Sequence, residues 1–447
     1  MPSASLHYFN RKVFFYKANQ MRDIALTLVI VSLALYAIKH SHIGILLWNW
    51  ISLMSPHRLS WGFAYSLPFA ALVAGVTLVS LFFSKQARRP PLPPVIIVLI
   101  LFILWFNVTS VFALEPDAVF QEWDRAMKIQ LMVFVALLVM QTRERINQLV
   151  WVVALSIGFF GIKGGIFGIA TGGSYRVFGP ADSFIADNNA LALAIVMIIP
   201  LMRYLHLQAE NVWVKRALLA AMILCAVSVI ASYSRGALLA IAAMVLVLWW
   251  KGRAKILTGI TMLVVGMALL FFMPEQWFAR MDTIGTYQTD ASAMGRINAW
   301  TFAYNLASDR FFGGGFNAFS ERLFYQYAPN PTDVHDAHSI YFEVLGEQVF
   351  VGLLLFLTLL FLAFRTARSV IQLAKPYPEF KWAGDLAAMV QVSLVGYCVG
   401  GTFLGLAYYD LPYTLIAILV LTQTVLSHEL QQNSKTSARS AKGLSKR

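Results

Sequence analysis

Cysteine is almost missing from this chain: the only two in 447 residues, Cys225 and Cys398, both lie within apolar runs. That excludes a metal site built on thiolates and argues against a disulfide framework. Charge is scarce as well. Charged residues are 13% of the chain against 59% hydrophobic, with a mean hydropathy of +0.66, and a soluble globule carries roughly twice that charged fraction. Most of the chain therefore lies in lipid. The formal net charge of +13 does not point to nucleic acid, because the Lys and Arg are scattered through short gaps between apolar spans, where they act as topology signals. Membrane lipids, not nucleic acid, are the expected surroundings. No cleavable leader is read, since the first apolar segment is followed directly by others and should stay as an anchor.

What is present is a series of apolar runs of membrane length, about 20 residues each. They fall at 24–38, 62–83, 94–114, 127–141, 147–170, 189–206, 217–231, 236–250, 256–273, 339–364, 386–404 and 411–428, which makes twelve. A further piece, ILLWNWISLM (45–54), is too short to span and reads as interfacial or re-entrant. Every even-numbered gap is rich in Lys and Arg, which puts both termini in the cytoplasm provided 45–54 does not cross. The expected architecture is an all-α polytopic membrane protein of about twelve transmembrane helices. Its parts are a basic-aromatic segment (1–20), an N-terminal bundle (21–273), a large, partly helical outer loop (274–338), C-terminal helices (339–428) and a basic cytoplasmic tail (429–447).

The outer loop of 65 residues holds four arginines and no lysine. Arg176, Arg235, Arg280, Arg296, Arg310 and Arg322 all fall in outer gaps, where positive charge is normally avoided. Arginine without lysine suits bidentate recognition of phosphate better than bulk charge. Four outer patches carry further polar residues. They are SYRVFGPADSFIADNNALALAI (174–195), SYSRGALLA (232–240), GRINAW (295–300) with the glycine turn FFGGGFNAF (311–319), and HDAHSIYFEVLGEQVFVG (335–352).

In this order the patches resemble the O-antigen ligase and polymerase superfamily. The shared features are an Arg before an Asn-Asn helix start, S-R-G opening a span, G-R before a Trp, a G-x-G turn, and a His followed nine residues on by a Glu, here His338 and Glu347. The likeness covers roughly 160–360. The stretches from Met21 to Tyr65 and KGGIF (163–167) are similar to the O-antigen ligase-like branch described as O-glycosylation ligases. The chain departs from the family pattern at Ser339, where Asn is frequent, and after Glu347, where Gln348 and Val349 replace an x-Gly pair. The resemblance implies a C-type glycosyltransferase-like fold in the bacterial inner membrane with its site facing the periplasm. It also implies a glycan donor linked to undecaprenyl diphosphate and a sugar hydroxyl of lipid A–core as acceptor.

Charge grows on the diphosphate as the anomeric bond breaks, and a cationic group must meet it. The outer gaps contain no D-x-D; the nearest candidates there are the separated Asp182 and Asp187. Arg235 and Arg296, with Arg176 as a further clamp, are therefore assigned to the diphosphate, and transfer is expected to need neither metal nor cofactor. His338 is the candidate general base: a neutral imidazole takes the acceptor proton as the hydroxyl attacks opposite the leaving group, which gives inversion. His335 reads as a loop residue. Glu343 and Glu347, one turn apart in an apolar span, should point inward and pair, either with one of them orienting an arginine or His338 or as a purely structural pair. Lys163 could pair with such a carboxylate. Asp187 and Asn189 support the helix mouth. Arg125 and Lys128 could reach acceptor phosphates, with snorkelling to headgroups as the alternative. Arg280, Arg310 and Arg322 have carboxylate neighbours in sequence, Asp282, Asp309 and Glu321, and read as ion pairs within the loop. A polymerase, or a ligase acting on protein Ser/Thr, would share the same donor. A transporter of lipid-linked sugar would instead show mid-bilayer charges and inverted repeats, and neither is seen.

Overall fold

The computed structural model describes residues 3–83, 89–251, 273–282 and 291–444, with scattered positions between 256 and 271; side chains are described from 20 to 435 within those ranges, other than 280 and 282. The described chain is helical, with no strand among the described residues. In order the helices are α1 (Ser3–Ala37), α2 (Ser41–Met54), α3 (Phe69–Phe83), α4 (Pro94–Val111), α5 (Pro116–Val139), α6 (Arg143–Ala170), α7 (Asn188–Gln208), α8 (Val212–Ala231), α9 (Arg235–Lys251), α10 (Glu275–Asp282), α11 (Ala291–Asp309), α12 (Glu321–Tyr327), α13 (Ile340–Ala374), α14 (Lys381–Gly400) and α15 (Asp410–Leu444).

Eight of these helices are long and apolar enough to cross a bilayer: α1, α4, α6, α7, α8, α13, α14 and α15. The other expected spans differ for identifiable reasons. Residues 62–83 contribute only the 15-residue α3, because Phe63–Ser66 forms a short 3-10 turn ahead of it. The run 127–141 is the distal half of α5, whose first half carries Asp117, Glu122, Asp124, Arg125 and Lys128. The run 236–250 is α9, 17 residues long. The expected span 256–273 lies largely outside the described residues, as do the side chains of Arg280 and Asp282.

Helix starts follow their cap residues. The Thr142 hydroxyl accepts from Arg145 N, and Asn211 from Trp213 N at 2.8 Å, while Pro94 and Pro116 stand where a missing N–H costs nothing. Helix α7 is apolar nearly all round, is buried along almost its whole length, and forms the centre of the bundle. The glycines of α6 explain its close contact with α8. A Cβ on Gly161 would stand 2.4 Å from Cys225 Sγ, one on Gly164 2.3 Å from Ser228 Oγ, and one on Gly165 2.2 Å from the Leu224 carbonyl oxygen. A small-residue stripe lets backbones approach where lipid gives no hydrophobic drive between helices. KGGIF is thus a packing element. Lys163 points away from this stripe, exposed, and no carboxylate pairs with it among the described residues.

The alternating gaps sort to opposite ends of the bundle. At one end Asn188 Nδ2 donates to the Ser232 carbonyl (2.7 Å), Asn317 Nδ2 to the Ala118 carbonyl (2.8 Å) and the Tyr65 hydroxyl to Asp182 (2.5 Å). At the other, Gln141 Nε2 donates to the Arg89 carbonyl (2.9 Å), Arg143 lies 5.1 Å over the Trp382 ring, and His428 and Glu429 share a cavity wall with Arg89 and Arg143.

The first hairpin corrects the expected topology. Gly44 packs on Thr77, well down α3 from Phe69, whereas Ser52 donates to Asp410 at the start of α15. Helix α2 therefore climbs through the bundle toward the end where Tyr65 meets Asp182. Asp23 accepts from Ala64 N at that same end (3.2 Å). So α1 runs in the opposite sense to the one expected, and Asp23 and His428 sit at opposite ends instead of both on one side. The cause is that α2 is wrapped by α1, α3, α5, α6 and α15. A helix of 14 residues (~21 Å) is short for lipid but sufficient inside protein.

Candidate functional site

A cavity of about 430 Å³ opens at the end of the bundle that carries the 171–188, 311–319 and 405–410 segments, in the size range of small-molecule sites. His338 lines it, with Asp187, Glu343 and Glu347, and also with Glu122, Arg125, Asp336 and Tyr408.

GRINAW and the chain before His338 build one another. Gly295 leaves room for the His335 ring, whose Cδ2 would lie 2.4 Å from a Cβ there. Asn298 Nδ2 donates to the carbonyls of Asn330 (2.8 Å) and Asp333 (2.9 Å), and Trp300 Nε1 donates to that of Ala337 (2.8 Å). The Trp300 ring stacks on Phe342 at 4.8 Å. Together these fix both flanks of His338, which adopts a left-handed backbone (φ +42°), a costly conformation for a residue with a Cβ. His335, bonded to Asp333 at 2.8 Å, is structural. The His338 imidazole is held below its usual pKa by the crowd of protein around it and by the Arg296 guanidinium, against opposing effects of Asp336 and Asp187. It is therefore neutral at neutral pH, the form that accepts a proton.

The span after His338 is broken. Val349 has φ +53° and ψ −166° inside α13. The carbonyls freed there are met by the glycine turn: Gly314 N donates to Gly346 O (3.3 Å), Gly315 N to Glu347 O (3.1 Å), and Trp105 Nε1 to Gln348 O (2.8 Å). Irregular backbone at membrane depth requires such substitutes. Gly313 (φ +73°) and Gly315 (φ +77°) sit so close that Cβ atoms would stand 2.7 Å from the Glu347 carbonyl oxygen and 2.5 Å from Ala113 Cβ. The turn is a wedge docked into a discontinuous helix, and the partly helical segment around it is α10 to α12.

Glu343 and Glu347 lie on the half of α13 that precedes the break and both face the cavity. Each is held by a backbone amide: Glu343 Oε2 accepts from Ala407 N (3.0 Å) and Glu347 Oε1 from Asn317 N (2.9 Å). The expected arginine or histidine partner is replaced by these amides. Glu347 is 6% exposed, and its Oε2 makes no hydrogen bond of good geometry, although the Tyr408 hydroxyl stands beside the carboxyl. Leaving a buried acceptor so costs roughly 1–3 kcal/mol.

Asp187 caps α7, accepting from Asn189 N (2.8 Å) and Asn189 Nδ2 (2.9 Å), and acts electrostatically on His338. The SYSRG turn is tied to the same end by Asn188 and by the Tyr233 hydroxyl, which donates to the Gly173 carbonyl (2.6 Å). Arg176 lies 5.9 Å over the Tyr233 ring, one residue pair from Arg235 in sequence. Gly236 packs on Phe403 and Gly401 on Ile340, so the 400–403 turn is flanked by the residues following Arg235 on one side and His338 on the other. Neither Arg176, Arg235 nor Arg296 lines the cavity.

Arg125 and Lys128 are paired within α5, Arg125 with Glu122 at 3.1 Å and Lys128 with Asp124. Arg125 also lies 4.7 Å over the Phe184 ring, and with Ser183 and Phe184 it separates the His338 cavity from a neighbouring one of about 330 Å³ that Lys128 lines. Arg322 donates to Glu115 (2.9 Å) across the loop instead of to adjacent Glu321, since successive residues on a helix diverge. Sequence reasoning missed Glu122, Asn317, Asp336 and Tyr408. The polar break LGLAYYD (404–410) between two apolar spans is the signal that marks the last of these.

Residues 220–357 match a family model described as O-antigen ligase, and residues 21–210 match one described as a family of unknown function, DUF5935. No curated protein matches the chain.

Proposed function

We propose, from the match of residues 220–357 to a family model described as O-antigen ligase, that this chain is an O-antigen ligase. In this proposal it moves a glycan from undecaprenyl diphosphate to a sugar hydroxyl of lipid A–core, on the periplasmic side of the bacterial inner membrane. Arg235 and Arg296, assisted by Arg176, hold the diphosphate. Neutral His338 accepts the proton of the acceptor hydroxyl, whose oxygen bonds the anomeric carbon from the face opposite the phosphate. The anomeric carbon–oxygen bond breaks with its electron pair leaving on the diphosphate, so configuration inverts. The guanidinium groups supply the charge stabilisation that other transferases take from a divalent ion, hence metal-independent transfer.

The observation that carries this proposal is His338: a strained, cavity-facing imidazole kept neutral by its surroundings and by Arg296. Sorting of the outer gaps beyond the first hairpin to the His338 end supports a periplasmic site. A polymerase or a protein O-oligosaccharyltransferase would use the same base and the same arginines.

The test is transfer in vitro from an undecaprenyl diphosphate-linked glycan to purified lipid A–core, in EDTA. Wild type should form lipopolysaccharide and the His338→Ala, Arg235→Ala and Arg296→Ala enzymes should not. Activity that disappears in EDTA and returns with Mg²⁺ or Mn²⁺ contradicts the metal-independent mechanism. Product found only as free polymer or on protein reassigns the acceptor.

A further inference from the structure

The walls of the His338 cavity are acidic. Five carboxyl groups line it (Glu122, Asp187, Asp336 and the buried Glu343 and Glu347) against one arginine and one histidine, and that arginine, Arg125, is already paired with Glu122. A diphosphate or a phosphorylated sugar would find no unengaged cation among these lining residues, and the more exposed acids Glu122, Asp187 and Asp336 oppose a further negative charge. The arginines assigned to the donor stand outside this lining. The cavity and the arginines therefore differ in the ligand they suit.

Two further observations show what the acidic side takes. Glu347, 6% exposed, has one carboxyl oxygen with no hydrogen bond of good geometry, only the Tyr408 hydroxyl beside it, while its other oxygen is fixed by Asn317 N. Its neighbour Glu343, one turn earlier on the same face, is fixed by Ala407 N. Rigidly held carboxyl oxygens accept hydrogen bonds from hydroxyl groups, and a site built to do so discriminates strongly against ligands that cannot donate. The half-buried aromatic residues Phe184 and Phe319 line the same cavity and are of the kind that packs on sugar rings.

We infer that this cavity is the acceptor subsite, that Glu343 and Glu347 are its specificity-determining residues, and that it admits an uncharged, hydroxyl-rich sugar while excluding phosphorylated ones. The inference rests on the transferase reading for the word acceptor, but the predicted binding preference does not depend on it. Arg125 and Lys128, engaged by Glu122 and Asp124, are not used to bind acceptor phosphate.

The preference is measured by protection of His338. Full-length protein in lipid nanodiscs is treated with diethyl pyrocarbonate, which acylates neutral imidazoles, and modification is quantified at each histidine by peptide fragmentation. The probes are methyl hexosides (gluco, galacto and manno) and the corresponding hexose 6-phosphates. Neutral sugars should protect His338 at about ten-fold lower concentration than the phosphates, with His57 and His428 unaffected. Equal protection by both classes, better protection by the phosphates, or protection by neither overturns the inference. In a folded Glu343→Gln/Glu347→Gln protein the gap should narrow; an unchanged gap removes the assignment to those two residues. No donor is present in any arm. A failure of glycosyl transfer would therefore leave this result standing, and a reversed sugar preference would leave the donor reading intact.

Discussion

At the end of the bundle that holds Thr142 and Asn211, helices are joined by short turns whose cap residues satisfy the next helix in ordinary geometry. At the His338 end the joints are built from left-handed residues. Ser55, Asp182, Tyr233, Asn317 and His338 all have positive φ there, as do Gly172, Gly173, Gly313 and Gly315, and Val349 marks the break below them. No described residue of the opposite end has a positive φ. Strained backbone persists only where its surroundings over-determine it. One end thus stabilises the bundle, while the other spends stability on holding an imidazole, two carboxyls and a wedge in place.

Removing His338 tests this contrast with the largest expected effect. His338→Ala should lower glycosyl transfer by roughly 10²–10⁴-fold and leave thermal unfolding nearly unchanged. Because its pKa is lowered from 6.5 by burial and by Arg296, the base stays neutral into mildly acidic solution. The acid limb of the rate profile should therefore lie below pH 6.5, and a limb above that value contradicts the assigned environment.

Paired substitutions sharpen the comparison through stability. Gly315→Ala forces a Cβ into a φ of +77° and to 2.5 Å from Ala113 Cβ, which should cost about 2–5 kcal/mol from left-handed strain and overpacking together. It should also depress transfer, because the wedge supports the Glu347 segment. Asn211→Ala, at the opposite end, removes one helix cap and should cost about 1 kcal/mol with no change in transfer. Equal losses of activity from the two would erase the distinction between the ends. Smallest of all is Arg58→Ala. Its bridge to Asp182 is 3.5 Å long and Asp182 is 63% exposed, so thermal unfolding should change by less than about 1 kcal/mol.

The helical architecture is legible in the sequence because lipid demands long apolar runs, and His338 and Asp187 stand out as polar residues at the mouths of such runs. The direction of α1 is not legible. A length rule tests contact with lipid, and α2 contacts protein instead. KGGIF is readable as glycine but not as a groove for α8 until α8 is beside it. The amides of Asn317 and Ala407 that hold Glu347 and Glu343 carry no side-chain signature, so a search for charged partners could not find them. Glu122, Asn317 and Tyr408 come from segments far apart in the chain and meet only when the broken α13 and its glycine wedge bring them together.

The proposed role depends most on the His338 end lying outside the cytoplasm. Single cysteines placed by Ser183→Cys and His428→Cys, in a protein with Cys225 and Cys398 replaced, give the direct measurement with a membrane-impermeant maleimide. In intact spheroplasts position 183 should label and position 428 should label only after lysis. The reverse pattern would put the imidazole and its carboxyl-lined cavity in the cytosol and contradict the account.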